Sequence, residues 1–451
     1  MLNKIQTLIE YLHTIENLEV LENPSDLKRL SKDFYNYSPV LKKILDGCIA
    51  NVVVRPRTLD SVIKVAEACW EFDISLTIRG GGTGNYGQAV PLNNGVVMQL
   101  IYLNKVEKYF PETGFVKVQS GCIMSDLNKE LAKNGRELRL LPSTWKTASI
   151  GGFISGGSGG IGSVKWGFLR DPGNLIGMEA VSINSTPKLL RLDTQQSESL
   201  NHAYGTNGII TSLLLSTDIK RDWYSLTIDC KELKTTIDLV KSFTAAAIDL
   251  KLVAVLEKEI VERMPVWFKA NNITNKVLIQ TTLGGVKTIE YICKKYVLDL
   301  VNLGIEDELE NGITELVWNH TTLQMRARDK TWTYLQMLLP FNDEYQFINS
   351  LKKIYKNKIL WHLEAVSQQG VPRIAALPVL KWTNENDLNE IIEQCRECGA
   401  IIFNPHVLTV EEGGLGVIDA DQVKAKLEYD PKGLLNPGKL KGWESKDKFI
   451  H

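Results

Sequence analysis

The sequence predicts an α+β protein of two domains with a returning tail. Three observations predict it. Up to about residue 220, short apolar strands alternate with amphipathic helices. Glycine is concentrated in two clusters. Gly80, Gly81, Gly82, Gly84 and Gly87 form the first; Gly151, Gly152, Gly156, Gly157, Gly159, Gly160 and Gly162 form the second. Such clusters mark backbone that comes close to something or takes positive φ. From about residue 225 to 360 glycine thins and ordinary amphipathic patterns take over, which marks a second domain.

The elements follow in order. Ile5, Leu8, Ile9 and Leu12 recur at helical spacing near the N-terminus. Asn51–Val54 reads as a short strand ended by Arg55-Pro56. Thr58 or Asp60 caps a helix with Val62, Ile63, Val65, Ala66 and Cys69 on its apolar face. Ile74–Ile78, Gly95–Leu100 and Phe115–Val118 read as strands. A helix runs from Ser125 to about Asn134 and closes at Gly135. Leu175–Ile183 and Gly208–Leu215 are further strands.

Composition narrows the function classes. The chain has 451 residues, with 52 Lys and Arg against 53 Asp and Glu. It lacks the basic excess that nucleic-acid binding draws on. No apolar run reaches the length of a signal peptide or a membrane span. Seven scattered cysteines suit reduced thiols in the cytoplasm better than a disulfide framework.

The first glycine run, Ile78-Arg-Gly-Gly-Gly-Thr-Gly-Asn-Tyr-Gly-Gln-Ala-Val-Pro91, contains a formal G-x-G-x-x-G. A Rossmann loop must open a helix. Here Pro91 and a strand follow, so a nicotinamide-type site is rejected. Consecutive glycine amides still suit an anion. The second run, Pro142 to Gly162, places Ser143, Thr144, Thr147 and Ser149 beside bare backbone. Neither run fits a P-loop NTPase.

Together these motifs resemble the FAD-binding domain of the vanillyl-alcohol oxidase/PCMH flavoprotein family, in its glycolate-oxidase-like branch. The resemblance rests on Val54-Arg-Pro-Arg-Thr-Leu-Asp60, Arg79-Gly-Gly-Gly-Thr-Gly84, Ala148-Ser-Ile-Gly-Gly152, Gly159-Gly-Ile-Gly162, Trp166-Gly167 and Gly205-Thr-Asn-Gly-Ile-Ile210. The tail Tyr429-Asp-Pro-Lys-Gly-Leu-Leu-Asn-Pro-Gly-Lys-Leu440 resembles the branch's closing motif. The implied architecture is a two-subdomain FAD domain over 45–219, after a helical segment 1–44. A substrate domain, a sheet covered by helices, spans 220–415. A tail over 416–451 returns to the FAD domain.

The resemblance implies that Arg79, Gly80, Gly81, Gly82, Thr83 and Gly84 wrap the pyrophosphate. Ser143, Ser149, Gly151 and Gly152 lie along the ribityl and flavin. Gly208 and Ile210 bond the flavin or adenine edge. Pro56, Asn85, Gly87, Pro142 and Thr144 belong to the same set. Thr83 stands where tethered members carry histidine, and Trp145 about where others carry cysteine, so FAD is expected to be noncovalent. The branch's acidic-histidine-glycine motif is replaced by Asn404-Pro-His-Val-Leu-Thr-Val-Glu-Glu-Gly-Gly414, and no metal is expected.

The implied activity is oxidation of a small organic molecule at a hydroxyl-bearing carbon, with hydride passing to flavin N5. Such a reaction often needs a base. His406 ranks first among the candidates. His362 follows, two residues from Glu364 and on the same face if the segment is a strand; a surface pair is the plainer alternative. His320 and Tyr334 complete the set. Trp332, Tyr334 and Gln336 are read as alternating on one strand. Arg373 is weighed for a substrate carboxylate against an ordinary surface salt bridge. Cys395-Arg-Glu-Cys398 lacks the further ligands of a zinc site and reads as two structural thiols. The rivals are an FAD-carrying electron-transfer subunit of a larger oxidase and a non-redox nucleotide-binding module. A separate electron-acceptor partner and a homodimer are left open.

Overall fold

A computed structural model describes residues 2–268 and 273–449. Four sheets organise it, with helices packed on their faces. The first has strand order Leu18–Leu21, Val52–Pro56, Val96–Gln99, Leu76–Arg79. Its last three strands are mutually parallel, and Leu18–Leu21 joins antiparallel. The N-terminal segment is therefore not purely helical. Its helix Leu2–Leu12 packs on the helix Leu59–Phe72 beside this sheet. A capping box between Thr58 and Ser61 starts the second helix, satisfying two of the amides that every helix start leaves unpaired.

The second sheet is antiparallel, with the long strand Ile209–Ile219 between Phe115–Gln119 and Leu175–Val181. The third has eight strands, built on Tyr224–Cys230, Leu250–Leu256, Asn275–Thr281 and His362–Gln368. Helices Leu233–Ala245, Leu283–Tyr296 and Glu344–Tyr355 supply apolar faces to one side of it. Its other side is not free: Leu252, Ala254 and Leu256 share one buried cluster with Val116 and Leu213 of the second sheet. That shared core fixes the seam where the site lies.

Two expectations change. Trp332, Tyr334 and Gln336 do not share a strand. Trp332–Tyr334 pairs with Val379–Lys381 in a three-stranded sheet, whereas Gln336–Leu338 joins the eight-stranded one. The chain changes sheets at Leu335, whose amide bonds Pro378 O at 3.1 Å. The second glycine run is not all loop: Ser149 caps a short helix, Ile150–Gly156.

The tail is bonded to the first sheet. Leu76 N donates to Leu434 O at 2.9 Å, and Asn436 N to Leu76 O at 2.8 Å. Lys439 is fully buried, and its Nζ donates to the carbonyls of Gly87, Gln88 and Val90 at 2.6, 2.9 and 2.6 Å.

Candidate active site

The strand Leu76–Arg79 delivers the first glycine run to the seam between the lobes. No helix follows until after the strand Val96–Gln99. Absent side chains let this run lie against the second one. A Cβ on Gly80 would collide with Ser149 Oγ, and one on Gly81 with the Thr147 carbonyl. Gly82 takes φ +68° over the Arg79 guanidinium. Ser149 Oγ ties both runs together, accepting from Gly81 N and Gly152 N at 3.3 Å each.

A cavity of about 400 Å³ opens in front of these runs. Gly80, Gly81, Gly82, Thr83, Gly84 and Asn85 form one wall. Pro142, Ser143, Thr144, Ser149, Gly151 and Gly152 form another, with Gly208 and Ile210 at the floor. Among the described residues, the amides of Gly82, Thr83 and Gly84 have no hydrogen-bond partner. Ser120 Oγ, also on the wall, is buried without a partner. Groups like these fit a phosphate-bearing ligand held by main-chain donors. Lys146, the lone Lys or Arg on the wall among the described residues, is engaged by Glu315 at 2.5 Å.

Pro56, Arg79 and Gly87 lie off the cavity wall. Pro56 ends its strand opposite Leu18, and Gly87 turns at φ +74° against Leu45. Arg79 sits behind the run, donating to Lys32 O at 2.6 Å. Burial brings its guanidinium down to about 10, against the pull of the Asp33 carboxylate. Burial likewise pushes Asp33 up to about 6 and Lys439 down to about 7. This buried charge cluster supports the loop from behind.

A second cavity of about 450 Å³ adjoins the first. Gly157, Ser158, His202, Trp318, Gln336 and Phe403 line both. At this junction Tyr86 Oη donates to Gln336 Oε1 at 2.7 Å, and Gln336 Nε2 to Asn319 Oδ1 at 3.2 Å. His202 Nδ1 bonds Gly157 O at 2.8 Å. A carbonyl accepts only, so Nδ1 carries the proton and Nε2 keeps its lone pair. Burial lowers the His202 pKa and keeps the ring neutral.

Of the four catalytic candidates, only His320 lines a cavity. Its Nδ1 lies 3.4 Å from Glu315, and burial lowers its pKa against that carboxylate. His406, ranked first from sequence, stands apart with both ring nitrogens engaged. Nδ1 meets Ser38 Oγ at 2.7 Å and Nε2 meets Tyr334 O at 2.8 Å. His362 is fully buried, with Nε2 2.8 Å from Glu364 Oε1. It lies on a strand as expected, but the pair is internal and not on the surface. Tyr334 is buried with its hydroxyl unpartnered. Arg373 forms no ion pair among the described residues; it donates to Gln368 Oε1 at 2.8 Å and Leu339 O at 3.0 Å. Cys395 and Cys398 are free thiols on the helix Glu385–Glu397 and its cap. Among the described residues no group of three or more His, Cys, Asp and Glu is placed to hold a metal.

Sequence reasoning passed over His202, Tyr86 and Asn319. Tyr86 sits inside the glycine run, and that position was the available signal. His202 carried none, because its role comes from a left-handed turn at φ 55°.

A family model described as "FAD binding domain" matches residues 50–188. The chain carries a PCMH-type FAD-binding domain. Beyond that domain it is similar to the glycolate oxidase subunit GlcD of Bacillus subtilis, 23% identical over 92% of this chain and 93% of that one. It is also similar to a D-lactate dehydrogenase of Anaerostipes hadrus, 27% identical over 86% of this chain and 89% of that one. The solved structure of an alkyldihydroxyacetonephosphate synthase shares the fold, with a TM-score of 0.72 at 15% identity over 96% of this chain and 85% of that one. No helix among the described residues is long and apolar enough to cross a membrane.

Proposed function

We propose that the protein is an FAD-dependent oxidoreductase that binds FAD noncovalently and oxidises a small molecule at a hydroxyl-bearing carbon. The observation that carries this is the wall the two cavities share: Trp318, Gln336 and Phe403 line both the glycine-walled one and the second chamber. The hydroxy-acid enzymes among its relatives support the reaction type. Thr83 and Trp145 stand where a tether would be, and no cysteine lines either cavity among the described residues. Seven free thiols support a reducing, cytoplasmic setting.

The protein's own part is binding, orientation and proton handling. The amides of Gly82, Thr83 and Gly84 would hold the phosphate oxygens of FAD, with Ser149 setting the loop. Bound FAD supplies a two-electron acceptor. Gln336, aligned by Tyr86 and Asn319, orients the substrate at the junction. Trp318 and Phe403 exclude water there. His202 Nε2 takes the hydroxyl proton, because its tautomer is fixed and its ring is neutral.

The test is the visible spectrum of the purified protein, followed by acid precipitation. Flavin bands with a yellow supernatant are expected. Colour that stays in the pellet refutes noncovalent binding. A colourless chain that takes up no added FAD refutes the oxidoreductase reading and favours a nucleotide-binding module.

A further inference from the structure

We propose that the second chamber takes a neutral, largely apolar hydroxyl compound and turns away its carboxylate counterpart. This rests on the flavoenzyme reading above and names its substrate class. The chamber's far wall is sheet, where the paired Leu338 and Ala375 point apolar groups at the space and Phe168 and Phe403 pack beside them. Met337 and Ala376, their strand neighbours, point the other way into the helix-covered core. Ala375 leaves the room; a larger residue there would fill it.

A carboxylate moved into such a place needs a free cation or several donors, because desolvating an unpaired charge is costly. Arg170 is the lone Arg or Lys on this wall among the described residues. Two carboxylates already offset its charge, Glu198 at Nε at 3.2 Å and Asp419 at Nη2 at 3.0 Å. Arg373 lies off the wall, with Nη1 on Gln368 Oε1 and Nη2 on Leu339 O. His202 is held neutral by burial.

The wall also carries three carboxylates, Asp171, Glu411 and Asp419. Asp171 accepts from Phe168 N and Gln369 N at 3.2 Å each. Glu411 accepts from Lys441 N at 2.9 Å and Gly442 N at 2.7 Å. Asp419 accepts from Asp421 N at 3.0 Å and Gln422 N at 3.4 Å. An entering anion therefore faces carboxylates and no unpaired Arg or Lys on this wall among the described residues. Neutral groups are left for a hydroxyl group: the second N–H of Gln336 Nε2 and the unpartnered Trp318 Nε1–H can donate, and His202 Nε2 can accept.

The test uses a matched set: 1-phenylethanol, mandelate and 1-phenylethylamine, which share a skeleton and differ in charge. Each is titrated into the FAD-loaded protein, reading the flavin bands and the heat of binding. The alcohol is expected to half-saturate at a concentration at least about tenfold below that of mandelate. Ala375→Leu should weaken the alcohol by about tenfold through lost space, with flavin content unchanged. Leu415→Arg, at the exposed rim of the chamber, should strengthen mandelate binding. Mandelate or the amine binding as tightly as the alcohol overturns the proposal, and so does silence from all three. Calorimetry on the unloaded chain reads the chamber separately, so failure to take up FAD is distinguishable from failure of the substrate class.

Discussion

Tyr86 and Gln336 meet across the seam, Oη to Oε1 at 2.7 Å, although 250 residues separate them in the chain. Burial pushes the Tyr86 phenol well above its ordinary range, so it stays protonated and donates. That donation leaves Gln336 Nε2 to bond Asn319. One hydroxyl on the glycine run thus sets the orientation of an amide on the opposite lobe.

Tyr86→Phe should therefore loosen the substrate and not the flavin. A lost buried hydrogen bond of about 1 kcal/mol corresponds to a rise in KM of roughly fivefold. Steady-state kinetics with a flavin count per chain checks this. A fall in flavin content at constant KM would place the bond in cofactor binding instead.

The approach of the two glycine runs makes Gly81 the sensitive position. A Cβ there meets the Thr147 carbonyl, and a backbone atom cannot swing aside. Gly81→Ala should cost about 1–3 kcal/mol by overpacking, read as weaker FAD binding in a fluorescence titration of the unloaded chain. Gly284, with nothing within 4 Å of an added Cβ, is the control and should leave that titration unchanged.

His202→Asn preserves the left-handed turn, which asparagine tolerates, and removes the proposed base. The turnover rate should fall by roughly a hundredfold, with flavin absorbance intact and the acidic limb of the kcat/KM profile lost. An unaltered profile would pass the role to His320, the other histidine on the wall.

Lys439 shows what a sequence conceals. Its three carbonyl acceptors belong to the turn that ends the first glycine run, about 350 residues upstream. Lys439→Met would strand those carbonyls and should cost about 3 kcal/mol or more, seen as a lower Tm that added FAD partly restores.

Local pattern was readable and long-range pairing was not. Alternation over Ile74–Ile78 marked the strand Leu76–Arg79, and Thr58 or Asp60 marked a helix start that Thr58 caps, because these depend on residues a few positions apart. The glycine runs announced close approach for the same reason. The sheet change at Leu335 depends on Pro378, and the solvation of His406 on Ser38. Neither partner can be found from spacing. His406 looked available as a base because its two hydrogen bonds come from distant segments.

Those bonds give His406 a different consequence. Tyr334 O can only accept, so Nε2 bears the proton and Nδ1 accepts from Ser38 Oγ. A second proton on Nδ1 would oppose Ser38, whose Oγ also receives Leu41 N at 3.1 Å. Burial accordingly lowers the ring from 6.5 to about 4. Below pH 6.5 the unfolded chain takes up a proton that the folded chain refuses, so stability falls as the pH drops through this window. The full loss is about 3 kcal/mol. His406→Gln removes that dependence. Urea midpoints at pH 7 and pH 4.5 should show the wild type losing its advantage over the variant as the pH falls, whereas a constant difference between the two would mean that the ring is not held neutral.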